Sequence, residues 1–217
     1  MKILGIDEAG RGCVIGPMVL AAVMVTQKSW DRLLKCGVKD SKKLSQKKRE
    51  ALVDEIRDIA LGTEITVVPP SKIDEYCAKK RLNVLEAEVA VELIKKRQPD
   101  VVYIDAPGRG GHKFKEQLEN LLDERQICIV AENHADDNYP VVAAASILAK
   151  VTRDNAIEDL RKKFGDFGSG YPSDAKTQHF IDRLCEEQQP LPDYIRHSWS
   201  TVKRKLTGEQ DQLFMND

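Results

Sequence analysis

Aromatic residues are scarce, at 6% of the 217 positions, and the five cysteines, Cys13, Cys36, Cys77, Cys128 and Cys185, are odd in number and widely scattered. No Cys-x-x-Cys pair occurs, so neither a zinc ribbon nor a disulfide framework is indicated, and a reducing, cytoplasmic setting is expected. A long hydrophobic run is also missing. The longest apolar stretch, Val14 to Val25, is too short to span a bilayer and contains Pro17. It follows Asp7 and Glu8, which makes it a poor signal peptide as well. His112, His134, His179 and His197 show no metal-ligand spacing, and no Ser-His-Asp arrangement can be built from them. What remains is a chain with 41% hydrophobic and 32% charged residues and a net charge of −1, long enough for a sizeable core, and expected to be a monomer.

The near-zero net charge hides an uneven distribution. Between residues 35 and 49, Lys35, Lys39, Lys42, Lys43, Lys47, Lys48 and Arg49 face only Asp40. Arg196, Lys203, Arg204 and Lys205 form a second basic stretch. Either each run is a solvated helix face, or the chain places local phosphate contacts beside a concentration of carboxylates.

Hydrophobic patterning predicts five strands: Met1 to Ile6, Met18 to Val25, Glu64 to Val68, Val101 to Ile104 and Ile127 to Ala131. Met18 to Val25 is apolar at successive positions, as a strand buried on both faces would be. Between the strands come a helix N-capped by Ser45 with Leu52, Ile56, Ile59 and Ala60 inward and Gly62 as its C′ residue, and a helical stretch from Ser71 with Asp74 at capping-box spacing. Helical character resumes from Asn83, with Leu82, Leu85, Val89 and Leu93 toward the core, and Phe114 to Asp123 reads as helix. Asp136 to Pro140 reads as a turn-and-cap cluster opening a helix from Val141 to Lys163, whose first half carries a single charge, Lys150. Strands alternating with helices indicate an α/β class. Residues 1–165 read as the main α/β domain, 166–207 as a helical and loop part packed on it, and 208–217 as a flexible tail.

Two strands, "Leu-Gly-Ile-Asp" and "Val-Tyr-Ile-Asp", each deliver an aspartate at the carboxyl end, where ligands bind in open α/β sheets. Asp7, Glu8 and Asp105 should lie there, and Asp136 could complete the group. Alternation sends neighbouring side chains of a strand to opposite faces, so Asp7 and Glu8 share a site only if the strand bends or ends at Ala9-Gly10. Clustered carboxylates repel and need cations, and oxygen donors without His or Cys favour Mg²⁺ or Mn²⁺. Two such ions can activate a water and stabilise the leaving oxygen of a phosphodiester. Competing motifs fail: Gly10 to Gly16 lacks the Lys-Ser/Thr of a P-loop and the third glycine of a dinucleotide fingerprint.

The segments "GIDEAGRGCVIGPMV" (5–19), "DSKKLS" (40–45), "YIDAP" (103–107), "HADDNYPVVAAASILAKVTRD" (134–154), "GSGYPSD" (168–174) and "RHSWSTVK" (196–203) together resemble type 2 ribonuclease H (ribonuclease HII), its archaeal branch most closely. Residues 69–98 and 107–126 add nothing to the resemblance. It implies a ribonuclease H-like α/β mixed sheet with flanking helices and a helical C-terminal appendage. The implied activity is an endonuclease that cuts the RNA strand of RNA–DNA hybrids and cleaves 5′ of a single ribonucleotide in duplex DNA. By the same resemblance, Asp7, Glu8, Asp105 and Asp136 are the catalytic acids holding two Mg²⁺ or Mn²⁺ ions. Gly10, Arg11 and Gly12 correspond to the ribose sensor, Tyr171 to the tyrosine at the junction with deoxyribose, and Lys42, Ser146 and Lys150 to phosphate contacts. Arg153 and Asp154 match the pattern too, with a structural ion pair as the other reading.

Two departures stand out. Asn133-His134 replaces the usual His-Lys ahead of Ala-Asp. Gln210-Asp211-Gln212-Leu213 begins like a clamp-binding peptide but ends on Asn216 and Asp217 in place of aromatics, which argues against tight sliding-clamp binding. The alternatives to the nuclease reading are a hybrid-binding protein with a dead site, and a nuclease of the same fold without a ribose requirement.

Overall fold

Strands β1 (Lys2–Ala9), β2 (Met18–Thr26), β3 (Gly62–Val68), β4 (Val101–Asp105) and β5 (Cys128–Glu132) form one mixed sheet in the order β3-β2-β1-β4-β5. The computed structural model describes residues 1–38, 45–108, 110–122, 127–187 and 190–207. β1, β2 and β3 pair antiparallel, whereas β1 with β4 and β4 with β5 pair parallel. The helices are α1 (Trp30–Lys35), α2 (Gln46–Ile59), α3 (Pro70–Ala78), α4 (Leu82–Arg97), α5 (Gly111–Leu121), α6 (Ala135–Asn138), α7 (Pro140–Phe164), α8 (Ala175–Glu187) and α9 (Ser200–Thr207).

Alternation along the two central strands sorts their side chains between two cores. Leu4, Ile6, Met18, Leu20, Ala22 and Met24 pack with α4 and α5; Ile3, Val19, Ala21, Val23 and Val25 pack with α7, α1 and α2. The double-sided burial inferred for β2 is therefore real, and its cause is a helix layer on each face. α7 lies unusually close to the sheet. A Cβ on Gly5 would come within 2.3 Å of the Val141 carbonyl, and Ala143, Ala144 and Ala145 are fully buried at the contact. Small side chains on both elements permit this approach. A third core joins Val14, Ile15 and Ile157 to Phe167, Phe180, Ile181 and Val202, seating the C-terminal helices on the loop after β1 and on α7.

Several local expectations change. β1 continues through Ala9, with Asp7, Glu8 and Ala9 paired with Ala21, Leu20 and Val19 of β2. Gly62 is the first residue of β3, not a helix C′; the Arg97 guanidinium occupies the space where its Cβ would stand. Ser45 does cap α2, accepting from the Lys48 N–H at 3.4 Å, and Val53 with Ile56 forms the most buried part of its inner face. Ser71 and Asp74 form no capping box, because Pro69 and Pro70 begin α3 and the Asp74 carboxylate is drawn to the C-terminal segment instead. The cluster before α7 is a short helix of its own, α6. Lys42, Asp123 and the 208–217 tail lie outside the described residues.

Candidate active site

Asp7 and Asp105 stand side by side at the carboxyl ends of β1 and β4, one position beyond the last pair of their ladder, Ile6 with Ile104. By parity both belong to the α7 face, and Glu8 to the α4 face. Yet one oxygen from each of Asp7, Glu8 and Asp105 falls within a 4.8 Å group. The β1–β4 pairing stops at Ile6 and Ile104, and β1 itself ends at Ala9, so the strand is ending where Glu8 joins the two aspartates. The sheet thus gathers three carboxylates where the parallel strands β1 and β4 part.

Their electrostatics follow from this placement. Burial pushes the Asp7 carboxyl up to about 7, and the charges of Asp105 and Asp136 push the same way. Two contacts oppose that rise. The Glu8 N–H donates to Asp7 Oδ1 at 2.7 Å, and the Ser146 hydroxyl lies close enough to favour the ionised form without meeting ideal hydrogen-bond geometry. Glu8 is also driven well above the usual carboxylate range, first by burial, then by the charges of Asp7, Glu86 and Asp105, with Arg11 pulling it down. Asp136, on α6 and buried, neighbours Asp7 but stands outside the close trio. Asp105 Oδ1 accepts the Ala135 N–H at 2.6 Å and so locks α6 against β4.

A cleft of about 330 Å³ opens over this group, lined by Glu8, Arg11, Asp105, Ala106, Pro107, Gly108, Asn133 and His134. Asn133 Nδ2 donates to the carbonyls of Ala106, at 2.8 Å, and of Gly108, which ties down the loop after β4. His134 adopts a left-handed conformation, φ 58°, at the mouth of the same cleft. The Asn-His departure therefore supplies a loop clamp and a cleft-lining imidazole.

The Gly10–Gly12 loop borders the cleft. Gly10 has φ +81°, and a Cβ there would sit 2.8 Å from the Pro17 carbonyl, so this turn requires glycine. Arg196, fully buried, holds the loop from behind. Its Nη2, Nη1 and Nε donate to the carbonyls of Gly10 (2.6 Å), Arg11 (2.8 Å) and Gly16 (3.0 Å). Trp199 Nε1 donates to the Gly12 carbonyl at 3.3 Å, while Asp74 accepts from the N–H groups of His197 and Ser198. This corrects the sequence reading of Arg196 as part of a basic patch: its charge is consumed by backbone carbonyls, and burial lowers its pKa to about 10. A sequence pattern of charge density cannot distinguish a buried guanidinium from a solvated one.

Tyr171 is 39% exposed beside Gly12, with the Arg153 guanidinium 5.1 Å from its ring centroid. Arg153 also donates to Cys13 Sγ (3.0 Å) and the Ser169 carbonyl (2.6 Å) and pairs with Asp154, which in turn pairs with Arg49. The structural reading of Arg153–Asp154 holds, and the pair also supports Tyr171. Ser146 and Lys150, one turn apart on α7, share a face, with the lysine half-buried. Two residues that sequence reasoning passed over also reach the site. Glu86 and Asn83 of α4 bind Arg11, and Glu86, 3% exposed, is raised to about 7 by burial against the lowering effect of Arg11. The signal was present: Glu86 sits next to Leu85 and three residues before Val89, on the side of the helix that should be apolar.

A mixed five-stranded sheet whose first and fourth strands bring acids together beneath a glycine-bracketed loop defines a ribonuclease H-like hydrolase. Comparison with known proteins narrows this. The family model described as Ribonuclease HII matches residues 4–202. A Ribonuclease HII of Methanococcus maripaludis is 45% identical, with 98% of this chain and 90% of that protein covered. The crystal structure of ribonuclease H2 from Pyrococcus horikoshii superposes with a TM-score of 0.88 at 38% identity, covering 96% of this chain and 98% of that one. Ribonuclease HII of Archaeoglobus fulgidus, solved in a complex with PCNA, gives a TM-score of 0.84 at 45% identity, covering 92% and 95%. The chain belongs to the ribonuclease HII family and is a hydrolytic endonuclease of the ribonuclease H type. No helix among the described residues is long and apolar enough to cross a membrane.

Proposed function

We propose that the chain hydrolyses the RNA strand of RNA–DNA hybrids and cuts 5′ of a single ribonucleotide embedded in duplex DNA, leaving 3′-hydroxyl and 5′-phosphate ends. The observation that carries this reading is the convergence of Asp7, Glu8 and Asp105 within 4.8 Å, directly beside the Gly10–Gly12 loop. The donor set fits hard divalent cations: the acids offer only oxygen, and burial with mutual repulsion drives the Asp7 carboxyl up to about 7 until positive charge offsets it. Asp7, Glu8, Asp105 and Asp136 would hold two Mg²⁺ or Mn²⁺ ions, which when bound supply water activation and charge neutralisation at the scissile phosphate.

The chain's own groups do the rest. The Ser146 hydroxyl and the Glu8 N–H favour ionised Asp7, so the proton held there leaves more readily when a cation arrives. Arg196 and Trp199 take up the carbonyls of Gly10, Arg11 and Gly12, which leaves the opposite side of the loop to meet a ribose 2′-hydroxyl. Tyr171 offers a partly exposed ring to the adjacent sugar, and Lys42 and Lys150 neutralise flanking phosphates. The A. fulgidus relative was solved with PCNA; here the residues after Leu213 lack an aromatic pair, and only weak clamp binding is expected.

The test uses a labelled DNA duplex with one ribonucleotide beside an all-DNA control, each with Mg²⁺ and with chelator. One metal-dependent cut on the 5′ side of the ribonucleotide is expected. Cleavage of the all-DNA control overturns the ribose requirement. Binding to a long hybrid without cleavage in Mg²⁺ or Mn²⁺ means that the site is dead.

A further inference from the structure

Arg11 carries its guanidinium between two partners on α4. Its Nε donates to Glu86 Oε1 at 2.6 Å and its Nη2 to Asn83 Oδ1 at 2.7 Å, which leaves Nη1 as the nitrogen without a hydrogen-bond partner among the described residues. The side chain is 35% exposed and lines the carboxylate cleft. Its main chain is fixed independently, through the Arg196 contact to the Arg11 carbonyl. An arginine at a loop tip has many rotamers to lose on meeting a ligand. Here both the backbone and the planar head are pinned before any ligand arrives.

The pair makes little sense as a device for stability. Glu86 is 3% exposed, and its Oε2 is buried with no hydrogen-bond partner. A buried carboxylate with one oxygen unsatisfied rarely repays its desolvation. Asn83 and Glu86 are three residues apart and so share one face of α4, the arrangement needed to receive a planar fork at two points. We infer that Glu86 and Asn83 are positioning residues, which hold the Arg11 guanidinium at the rim of the cleft so that its remaining nitrogen meets the sugar–phosphate backbone beside the scissile bond. This deepens the proposed function and rests on the reading of Arg11 as a substrate contact.

The experiment measures KM and kcat of the full chain on the single-ribonucleotide duplex for Arg11→Ala, Glu86→Gln, Asn83→Ala and the double variant Arg11→Ala/Glu86→Gln. Glu86→Gln keeps the side-chain volume, and Asn83 is exposed, so its truncation leaves the fold intact. KM should rise roughly tenfold for Arg11→Ala and about fivefold for Glu86→Gln, with two- to threefold for Asn83→Ala and kcat nearly constant. The double variant should be no worse than Arg11→Ala alone, because Glu86 acts through that guanidinium. If Arg11→Ala raises KM while Glu86→Gln and Asn83→Ala do not, the positioning role is overturned and the substrate contact stands. An unchanged KM for Arg11→Ala removes both. Additive losses in the double variant, or a loss confined to kcat, mean that Glu86 acts on the carboxylates directly and also overturn the inference.

Discussion

Replacing Asp7 by Asn should stabilise the metal-free protein while abolishing its activity. Asn is nearly isosteric and its Oδ1 can still accept the Glu8 N–H, so the change removes charge and little else. The folded chain holds the Asp7 proton up to about pH 7, whereas an ordinary Asp loses it near 3.8. Between those values the unfolded chain is ionised and the folded chain is not, so ionisation favours unfolding as pH rises. Stability from this group is fully present below pH 3.8 and is lost progressively up to about 7, above which the penalty is constant. Linkage over that interval limits the penalty to about 4 kcal/mol, and sharing of protons with Glu8 reduces the expected gain from Asp7→Asn to roughly 2 kcal/mol. Urea unfolding in chelator at about pH 4 and pH 8 would measure it. The variant's advantage should appear only at the higher pH, and added Mg²⁺ should erase it by stabilising the parent chain. A variant that is no more stable than the parent at the higher pH, or equally favoured at both, would refute the account of a frustrated carboxylate cluster.

Two other substitutions probe the scaffold and the substrate surface. Gly5→Ala drives a methyl group into the Val141 carbonyl and should cost about 3 kcal/mol by overpacking, read as a lowered urea midpoint; an unchanged midpoint would mean that α7 can lift off the sheet freely. Tyr171→Ala should impair cutting at a single ribonucleotide roughly tenfold more than cutting in a long hybrid, by comparison of kcat/KM on the two substrates. Equal losses would remove Tyr171 from the junction.

Much of the site was legible because its chemistry is written in contiguous segments. Asp7 and Asp105 each close the apolar run of a strand, a position that hydrophobic patterning alone locates. The five strands and the long helix α7 were legible for the same reason, since period and breakers are local properties. Glu8 was harder. Alternation places it on the opposite face, and it joins the aspartates where the β1–β4 pairing has stopped, at Ile6 and Ile104, and β1 is about to end at Ala9. Arg196 and Asn83 were not legible as site elements, and Glu86 showed only as an acid on an apolar helix face, because their partners lie far away in the chain: Arg196 binds carbonyls 185 and 186 residues distant, and Glu86 meets Arg11 across 75 residues.

By itself the sequence determined an α/β chain with carboxylates at strand ends, a glycine-bracketed arginine after the first strand, and motifs matching one family in order. Those features depend on neighbours within a few residues, where backbone geometry and side-chain period leave few options. The tertiary structure decided which acids converge, which basic groups stay available and which are spent. It made Arg196 a buried prop and gave Arg11 two partners on α4. It also set Asp136 beside Asp7 but outside the close trio. Each of these outcomes depends on burial and on distances between elements, and side-chain charge takes its value from that surrounding medium.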